Sequence, residues 1–214
     1  MSTEFSSADY TAGQLNAMVK LLKKQVGEDG PERFLRGEIT VSQPVRAWRE
    51  QDGVIYFSVT SNGLTGPEWI AHFEKKGDRV GNCAKQSLCS AEFKPTSDIT
   101  YNIAVMKGMI FNDKDRVTKK IRNEADCRKF AKPNAEIACL IRDKFTDAEI
   151  EAMGLIWIVT MHEPIEVSGG SLRLLGAHRG DGGRWLDAYY GTPGVRWGRG
   201  HGFAFVVSQV CPES

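Results

Sequence analysis

The sequence lacks the short motifs that identify the common classes of enzyme. It contains no Gly-x-Ser-x-Gly turn, no His-Glu-x-x-His pair and no Gly-rich phosphate loop that ends in Gly-Lys-Ser or Gly-Lys-Thr. It also lacks an apolar run long enough to span a bilayer, and its first residues, MSTEFSSADYTAGQ, lack the apolar centre of a secretory signal. The default expectation is therefore a cytoplasmic protein without a membrane span, with secretion by another route left open.

An excess of charge of one sign is also lacking. The chain has 28 basic and 27 acidic side chains, which gives a net charge of +1 when the histidines are neutral. A nearly neutral protein has no long-range attraction to the phosphates of nucleic acid or to an anionic membrane. Hydrophobic residues make up 41% of the sequence, which is typical of a folded globular chain and not of a disordered one.

Paired cysteine spacings are the third absence. The five cysteines are an odd number, and none of their spacings matches a zinc site or a Cys-x-x-Cys redox pair. The sequence therefore predicts neither a metal site nor a cofactor. We expect free, mostly buried thiols in a reducing compartment at Cys83, Cys89, Cys127, Cys139 and Cys211.

The stretch from Val167 to Ser208 has an unusual composition. It contains no Lys, Glu, Gln or Met, although about ten such residues are expected at the rate found in the rest of the chain. It holds half of the 22 glycines, and arginine alone carries its positive charge. Tyr, Trp, Arg, Gly and Ser are enriched in recognition loops, because rigid rings and planar guanidinium groups bind at low entropic cost.

We expect this stretch to form a ligand-binding surface over residues 176–201. Side chains beside glycines and turn residues usually face solvent, so they are the candidates for contact with a ligand. These candidates are Ala177, His178, Arg179, Asp181, Arg184, Asp187, Tyr189, Tyr190, Thr192, Val195, Arg196, Arg199 and His201. The scaffold below them is expected to include Trp185, Trp197, Gly202 and Phe203. A Gly-rich β-meander whose aromatic residues are ordinary core is the alternative interpretation.

Helical signals are clearest where a capping box precedes an apolar stripe. Such boxes predict helix starts at Thr11, Thr65 and Thr146. The stripe of the first helix, which includes Leu15, Met18 and Leu22, is expected to face the protein core, with a partner helix as the alternative. Further helices are expected over Asp78–Leu88, from Asn112 or Asp113 to about Phe130, and from Pro133 onward.

Strand signals come from apolar residues that alternate or run continuously between turn residues. The dipeptide Asp52-Gly53 predicts a hairpin between Val45–Trp48 and Val54–Val59. The continuous apolar run Leu155–Thr160 predicts a buried strand. The other expected strands are Glu38–Ser42, Ile99–Ile110, Leu172–Gly176, Trp185–Tyr190 and Phe203–Val207.

The order of these elements predicts a mixed α+β protein in two parts. Residues 1–95 are expected to form an accessory region of helices and a hairpin, and residues 96–214 a ligand-binding domain. The second part runs as a strand, two helices and then short strands with long Gly-rich connections. Within it, residues 125–138 read ADCRKFAKPNAEIA, and the end of the chain carries PGVRW followed by GFAFVV.

This pattern resembles the C-type-lectin-like fold, in the variant shared with formylglycine-generating-enzyme-type domains. Some such domains are the variable proteins of diversity-generating retroelements, in which adenine-directed mutagenesis randomises codons that have a fixed third base. Those codons cannot encode Lys, Glu, Gln, Met or Trp. The resemblance therefore implies a diversified surface within residues 167–208, with Trp185 and Trp197 as fixed scaffold and an unknown protein or cell-surface molecule as partner. The chain is also similar to a group of uncharacterised bacterial proteins, which implies no activity.

The chain departs from two active branches of that family. Glu163-Pro164-Ile165 and Trp185-Leu186-Asp187 stand where calcium-dependent sugar-binding members have Glu-Pro-Asn and Trp-Asn-Asp, so amide oxygens that bind calcium are missing. The context of Cys139 and Cys211 does not match the cysteine pair of the oxidase members. The resemblance thus implies neither calcium-dependent sugar binding nor oxidase chemistry.

Two other functions are left open by the sequence. A hydrolase-like or oxidase-like enzyme would use His162, at the end of a buried strand, together with His178. A nucleic-acid binder would stack bases on the aromatic rings between the arginines, although the net charge disfavours it. Non-enzymatic ligand binding is the prediction that accounts for the composition, and no catalytic residue is assigned.

Overall fold

The computed structural model describes residues 11–40, 46–180 and 182–207. The chain divides into two compact units, Met1–Arg46 and Ala47–Ser214. In the described residues, the first unit consists of helices and the second of a ten-stranded sheet with helices. The mixed α+β class expected from the sequence is confirmed.

The first unit contains helix α1 (Ala12–Val26) and the six-residue helix α2 (Gly30–Leu35). Helix α1 starts as predicted, because the Thr11 hydroxyl accepts a hydrogen bond from the Gln14 N–H and the Gln14 side chain accepts one from the Thr11 N–H. Its apolar stripe is not buried, however, and Leu15 is 50% exposed. The prediction that this stripe faces the core is wrong, since the described part of the unit offers it just the short α2 for packing.

The strand expected at Glu38–Ser42 is also not formed where the structure describes this segment. Residues 36–37 form a turn after α2, and the Glu38 N–H that follows donates to the Arg33 carbonyl at 2.9 Å. This local hydrogen bond replaces the partner strand that the backbone of Glu38 would otherwise need. Residues 41 and 42 lie outside the described ranges.

One sheet runs through the second unit in the order β1-β2-β4-β10-β6-β8-β9-β3, with β5 paired to β10 and β7 paired to β8. Its pairs are antiparallel except β10 with β6 and β9 with β3, which are parallel. The strands are β1 Arg49–Gln51, β2 Val54–Asn62, β3 Arg79–Val80, β4 Ser97–Lys107, β5 Phe130–Ala131, β6 Trp157–Thr160, β7 Ile165–Val167, β8 Ser171–Gly180, β9 Gly183–Tyr190 and β10 His201–Val207.

The two faces of the sheet bury separate apolar clusters. Four helices, α3 (Gly66–Lys75), α4 (Asn82–Leu88), α6 (Glu136–Lys144) and α7 (Asp147–Ala152), contribute to the cluster on one face. Helix α5 (Thr118–Cys127) packs on the other. We call these the four-helix face and the α5 face. Because side chains alternate along a strand, neighbouring residues of β6 and β10 belong to different clusters.

The sheet crosses the boundary expected near residue 95. Strand β2 pairs with β4 from Val54 opposite Met106 to Asn62 opposite Ser97. The strand expected at Ile99–Ile110 therefore belongs to the same sheet and core as the preceding hairpin. The division into residues 1–95 and 96–214 is corrected to the two compact units that meet at Arg46 and Ala47.

Local turn and cap signals are confirmed in the second unit. Asp52 and Gly53 have φ values of 52° and 72° and join β1 to β2, although β1 lies closer to the turn than expected. The Thr65 N–H donates to Glu68 at 2.8 Å at the start of α3. The same capping box, between residues 146 and 149, starts α7.

Three helices start later than predicted. Residues 79–80 form β3, which pairs with β9, so α4 begins at Asn82 instead of Asp78. The Asn112 carbonyl accepts from the N–H groups of residues 115 and 116 in a separate turn, and α5 begins at Thr118. Helix α6 begins at Glu136, three residues after the expected Pro133. For α4 a strand pairing, and for α5 a turn, takes the backbone groups that the first turn of the predicted helix would have used.

Gly66 is expected to be intolerant of a side chain. A Cβ at this position would lie 1.8 Å from the Leu88 carbonyl oxygen, because α3 and α4 approach through their backbones. We expect Gly66→Ala to lower the free energy of unfolding by about 1–3 kcal/mol, the range for overpacking. The measurement is denaturant unfolding. Gly194→Ala is the control, since no atom lies within 4 Å of its Cβ, and an equal effect of both substitutions would contradict the prediction.

Candidate functional site

A row of side chains crosses five neighbouring strands on the α5 face. His201 of β10 is opposite Trp157 of β6, which is opposite His178 of β8. His178 is opposite Trp185 of β9, and Trp185 is opposite Arg79 of β3. The four rings are half-buried and Arg79 is exposed. We call these five residues the ring row.

The rings of the row stack on one another. Trp157 and His178 lie 3.9 Å apart at an interplanar angle of 8°, and His178 and Trp185 lie 5.8 Å apart at 15°. His201 lies 6.2 Å from the other face of Trp157 at 15°, and the Arg79 guanidinium lies 5.2 Å from the Trp185 ring. Because the ring faces are turned toward each other, the row presents ring edges to solvent.

Both histidines of the row are held in the neutral form. The Nδ1 of His178 donates to the Arg179 carbonyl at 3.1 Å, and that of His201 donates to the Gly198 carbonyl at 3.2 Å. Desolvation by burial lowers the pKa of each ring below its ordinary value. With Nδ1 protonated in this way, each Nε2 is a hydrogen-bond acceptor at the edge of the row. Asp187 lies 3.9 Å from the Nε2 of His178.

Two tyrosines extend the aromatic surface. The ring of Tyr189 lies 5.7 Å from Trp157 and 6.4 Å from His201, so it sits beside the row. It is 37% exposed, and Tyr190 is 53% exposed. The Arg173 guanidinium covers one face of Tyr190 at 3.9 Å. The tyrosines therefore combine open surface with fixed ring positions.

The loop after β9 is fixed from below. The Trp197 indole N–H donates to the Thr118 hydroxyl at 3.0 Å, and the Trp197 backbone N–H donates to the Arg116 carbonyl at 3.0 Å. The buried Arg116 donates in turn to the carbonyls of Gly108 and Trp197. On this support Thr192, Arg196 and Arg199 are exposed, whereas Val195 is half-buried.

Three of the expected ligand contacts lie on the four-helix face instead. Ala177 is fully buried there, so its assignment as a ligand contact is wrong. Arg184 donates to the Arg142 carbonyl at 2.6 Å, and Arg179 donates to the Leu155 carbonyl at 3.1 Å. Both arginines therefore support the protein's own backbone. The period-two alternation of β8 and β9 separates them from the ring row. Asp181 lies outside the described residues.

The expected scaffold is partly reassigned. Trp197, Gly202 and Phe203 are buried, as a scaffold requires. Trp185 was expected below the surface, but it is half-buried within the ring row. Sequence reasoning missed Trp157 and Arg79 as surface residues. The position of Trp157 inside the run LIWIVT indicated a buried strand, and no local signal places either residue opposite its neighbours in the row.

His162 does not have the geometry of a general base. It is 1% exposed, its Nδ1 donates to the Glu163 carbonyl at 2.6 Å, and its Nε2 accepts from the Leu175 N–H at 2.9 Å. Burial lowers its pKa from 6.5 to about 4. Because both nitrogens are occupied by the backbone, His162 has no lone pair available for a substrate proton.

Stacking of nucleic-acid bases also finds little support in this arrangement. Base stacking requires open ring faces. The faces of Trp157 and His178 are covered by their neighbours in the row, and Arg79 covers the outer face of Trp185. The exposed arginines Arg196 and Arg199 therefore stand beside ring edges rather than beside open stacking platforms.

The other sequence expectations concern thiols, metals and membranes. Cys139 is buried, but Cys89 and Cys127 are exposed and Cys83 is intermediate, so the expectation of mostly buried thiols is wrong for the described cysteines. Cys211 lies outside the described ranges. Within those ranges no group of three or more His, Cys, Asp or Glu residues is arranged to hold a metal ion. No helix of the described chain has the length and apolarity to cross a bilayer.

The burial of neutral His162 predicts a loss of stability in acid. Its pKa in the folded protein, about 4, is below the ordinary 6.5, so the unfolded chain binds more protons between these values. The stabilisation is complete above pH 6.5 and falls by on the order of 3 kcal/mol as pH drops to about 4. The free energy of unfolding, measured with denaturant across this pH range, should change less with pH in His162→Gln than in wild type. Parallel curves for the two proteins would contradict this assignment.

Comparison of the chain with protein-family models, with curated proteins and with solved structures finds no match. The ring row, the two tyrosines and the loop after β9 are therefore the features that indicate function.

Proposed function

We propose that this chain is a non-enzymatic binding protein that recognises a protein or cell-surface ligand. The recognition surface is the ring row, the two tyrosines Tyr189 and Tyr190, and the loop residues Thr192, Arg196 and Arg199. The observation that carries the proposal is the stacked, half-buried row, whose edges face solvent beside exposed tyrosines and arginines. We call this set the recognition surface.

The chemistry of the surface suits recognition. The half-buried Trp157 and Trp185 form no side-chain hydrogen bond with a described residue, so their indole N–H groups are candidate donors to a ligand. They alternate across the row with the acceptor nitrogens of His178 and His201. Since stacking fixes the rings before a ligand arrives, little side-chain entropy remains to be lost on binding. Aromatic and arginine side chains contribute most of the binding free energy in many protein interfaces.

We also propose that residues 97–207 adopt a C-type-lectin-like arrangement. The supporting features are the strand order β4-β10-β6-β8-β9, the antiparallel pairing of β4 with β10, and the position of α5 and α6 between β4 and β6. The glycine-rich segment 167–208 then supplies the last strands and the loop between β9 and β10. A fold of this kind keeps its surface loops on a fixed sheet.

Diversification of the surface is part of this proposal. The missing residue types of segment 167–208 agree with codons that have a fixed third base. The exposed Tyr189 and Arg199 have side chains that such codons encode, whereas the half-buried Trp185 and the buried Trp197, which such codons cannot encode, would stay constant. A diversified face would require this separation, because substitutions at exposed positions usually change stability by less than about 0.5 kcal/mol.

Substitution of the exposed arginines and a tyrosine is expected to remove ligand binding without unfolding the chain. The test variant combines Tyr189→Ser, Arg196→Ser and Arg199→Ser, and it is applied with wild type to an array of purified cell-surface proteins. Ligands that bind wild type should lose about 100-fold or more in affinity, because hot-spot side chains each contribute about 2 kcal/mol or more. The matched control replaces the exposed Lys75, Glu92 and Lys94 with Ser. Equal binding by the two variants would contradict the proposed surface.

The genomic DNA beside the gene tests diversification separately. We expect a near-copy of codons 167–208 next to a reverse-transcriptase gene, with the two DNA copies differing at adenines of the copy. Sequencing several kilobases on each side of the gene is the measurement. Absence of the repeat would leave a binding protein with a constant surface and would remove the retroelement from the proposal.

A further inference from the structure

A second site lies away from the ring row, in a cavity of about 630 Å³ beside α5. This volume falls within the range of small-molecule sites in proteins. The wall on the side of α5 is polar and includes Lys119, Arg122 and Asp126. The rest of the lining includes apolar side chains from β5, β8 and β10 and from the segment after β6, namely Phe130, Leu172, Phe205, Met161 and Pro164.

The charges around the cavity leave cationic groups unpaired. Lys132 forms an ion pair with Glu163 at the rim, so these two charges compensate each other. Arg122 donates through Nη2 to the His162 carbonyl at 2.7 Å, but its buried Nε has no hydrogen-bond partner among the described residues. Lys119 is exposed and forms no ion pair with a described residue. Among the described lining residues, Asp126 is the only carboxylate besides Glu163, which is paired with Lys132.

We infer that this cavity binds a small amphipathic carboxylate. The apolar body of the ligand would lie against Met161, Leu172 and Phe205, and its carboxylate would accept hydrogen bonds from Arg122 and Lys119. A carboxylate matches the two lining cations, Lys119 and Arg122, which form no ion pair with a described residue, and it gains from charge-assisted hydrogen bonds. A neutral ligand forms weaker hydrogen bonds with these two cationic side chains, and an ammonium ligand meets like charge at both. The cavity adjoins the recognition surface, because Gly191 and Pro193, which flank Thr192, line it, but binding of a small carboxylate goes beyond the proposed function.

The charge preference is measured with three probes of the same shape. Phenylbutyrate, phenylbutanamide and phenylbutylamine are titrated into the full chain by calorimetry, and backbone amide shifts locate the bound probe. The carboxylate is expected to bind about ten-fold tighter than the amide, and the amine more weakly than both, because the hydrogen bonds to the carboxylate are charge-assisted. Amide shifts should be concentrated in α5 and at Leu172 and Phe205.

Two adjacent lysines provide a matched pair of variants. Lys119 lines the cavity, whereas Lys120 pairs with Asp115 at 2.5 Å and does not line it. Lys119→Met should weaken phenylbutyrate binding about ten-fold and leave phenylbutylamine binding equal or stronger. Lys120→Met should change neither. Arg122→Gln should weaken phenylbutyrate binding by a similar factor. Circular dichroism checks that this variant keeps its fold.

Filling the cavity gives a second, charge-independent test. Leu172 is 37% exposed and lines the cavity, so Leu172→Trp is expected to block the carboxylate without a core defect. Ile99→Trp, at another exposed strand position outside the cavity, is the control and should bind like wild type. Should Arg122→Gln fail to fold, the Lys119 and Leu172 variants still decide the outcome.

The proposal is overturned by equal affinities for the three probes, by equal effects of Lys119→Met and Lys120→Met, or by amide shifts located away from α5. The variant of the recognition surface with Tyr189, Arg196 and Arg199 replaced should keep wild-type affinity for phenylbutyrate. The cavity is tested with the Lys119, Arg122 and Leu172 variants and small probes, whereas the recognition surface is tested with the triple variant and cell-surface proteins. Failure of one proposal can therefore be distinguished from failure of the other.

Discussion

The pairing of β10 between β4 and β6 is the constraint on which the rest of the second unit depends. Gly202 lies opposite Lys107 on one side and Ile158 on the other, so β10 joins strands that are far apart in the sequence. This register places His201 opposite Trp157 and so begins the ring row. It also closes both apolar clusters, because Phe203 and Ala204 point to opposite faces. Long-range pairing by the last described strand thus fixes the core and the surface together.

Stacking within the row determines what kind of recognition the surface can support. Rings that cover each other's faces cannot receive a base or a sugar ring between them, so the row acts through its edges and through the shape that the edges form. Stacking also keeps the His178 and His201 rings partly desolvated, which lowers the pKa of each and keeps them neutral acceptors near physiological pH. The surface therefore combines stacked hydrogen-bonding rings with exposed charged groups at Arg196 and Arg199.

Local features of the fold could be predicted from the sequence, whereas the site could be predicted only in part. The turn at Asp52-Gly53 and the capping box at Thr65 depend on neighbouring residues, so their signals are contained in a few positions. The contributions of Trp157 and Arg79 depend on pairing between distant strands, which no short window contains. The helix start expected at Asn112 was wrong for a different reason, because a local turn takes up the Asn112 carbonyl and α5 begins only at Thr118.

Alternation along β8 and β9 also limits how much of segment 167–208 can vary. His178, Asp187 and Tyr189 lie on the α5 face, but each is adjacent to a residue directed to the four-helix face. On that side Arg184 donates to the Arg142 and Phe145 carbonyls, and its loss would leave buried acceptors with fewer partners. A mechanism that randomised every permitted codon of the segment would therefore destabilise the protein. Variation compatible with folding must follow the period of the strand until it reaches the loop after β9, where consecutive residues become exposed.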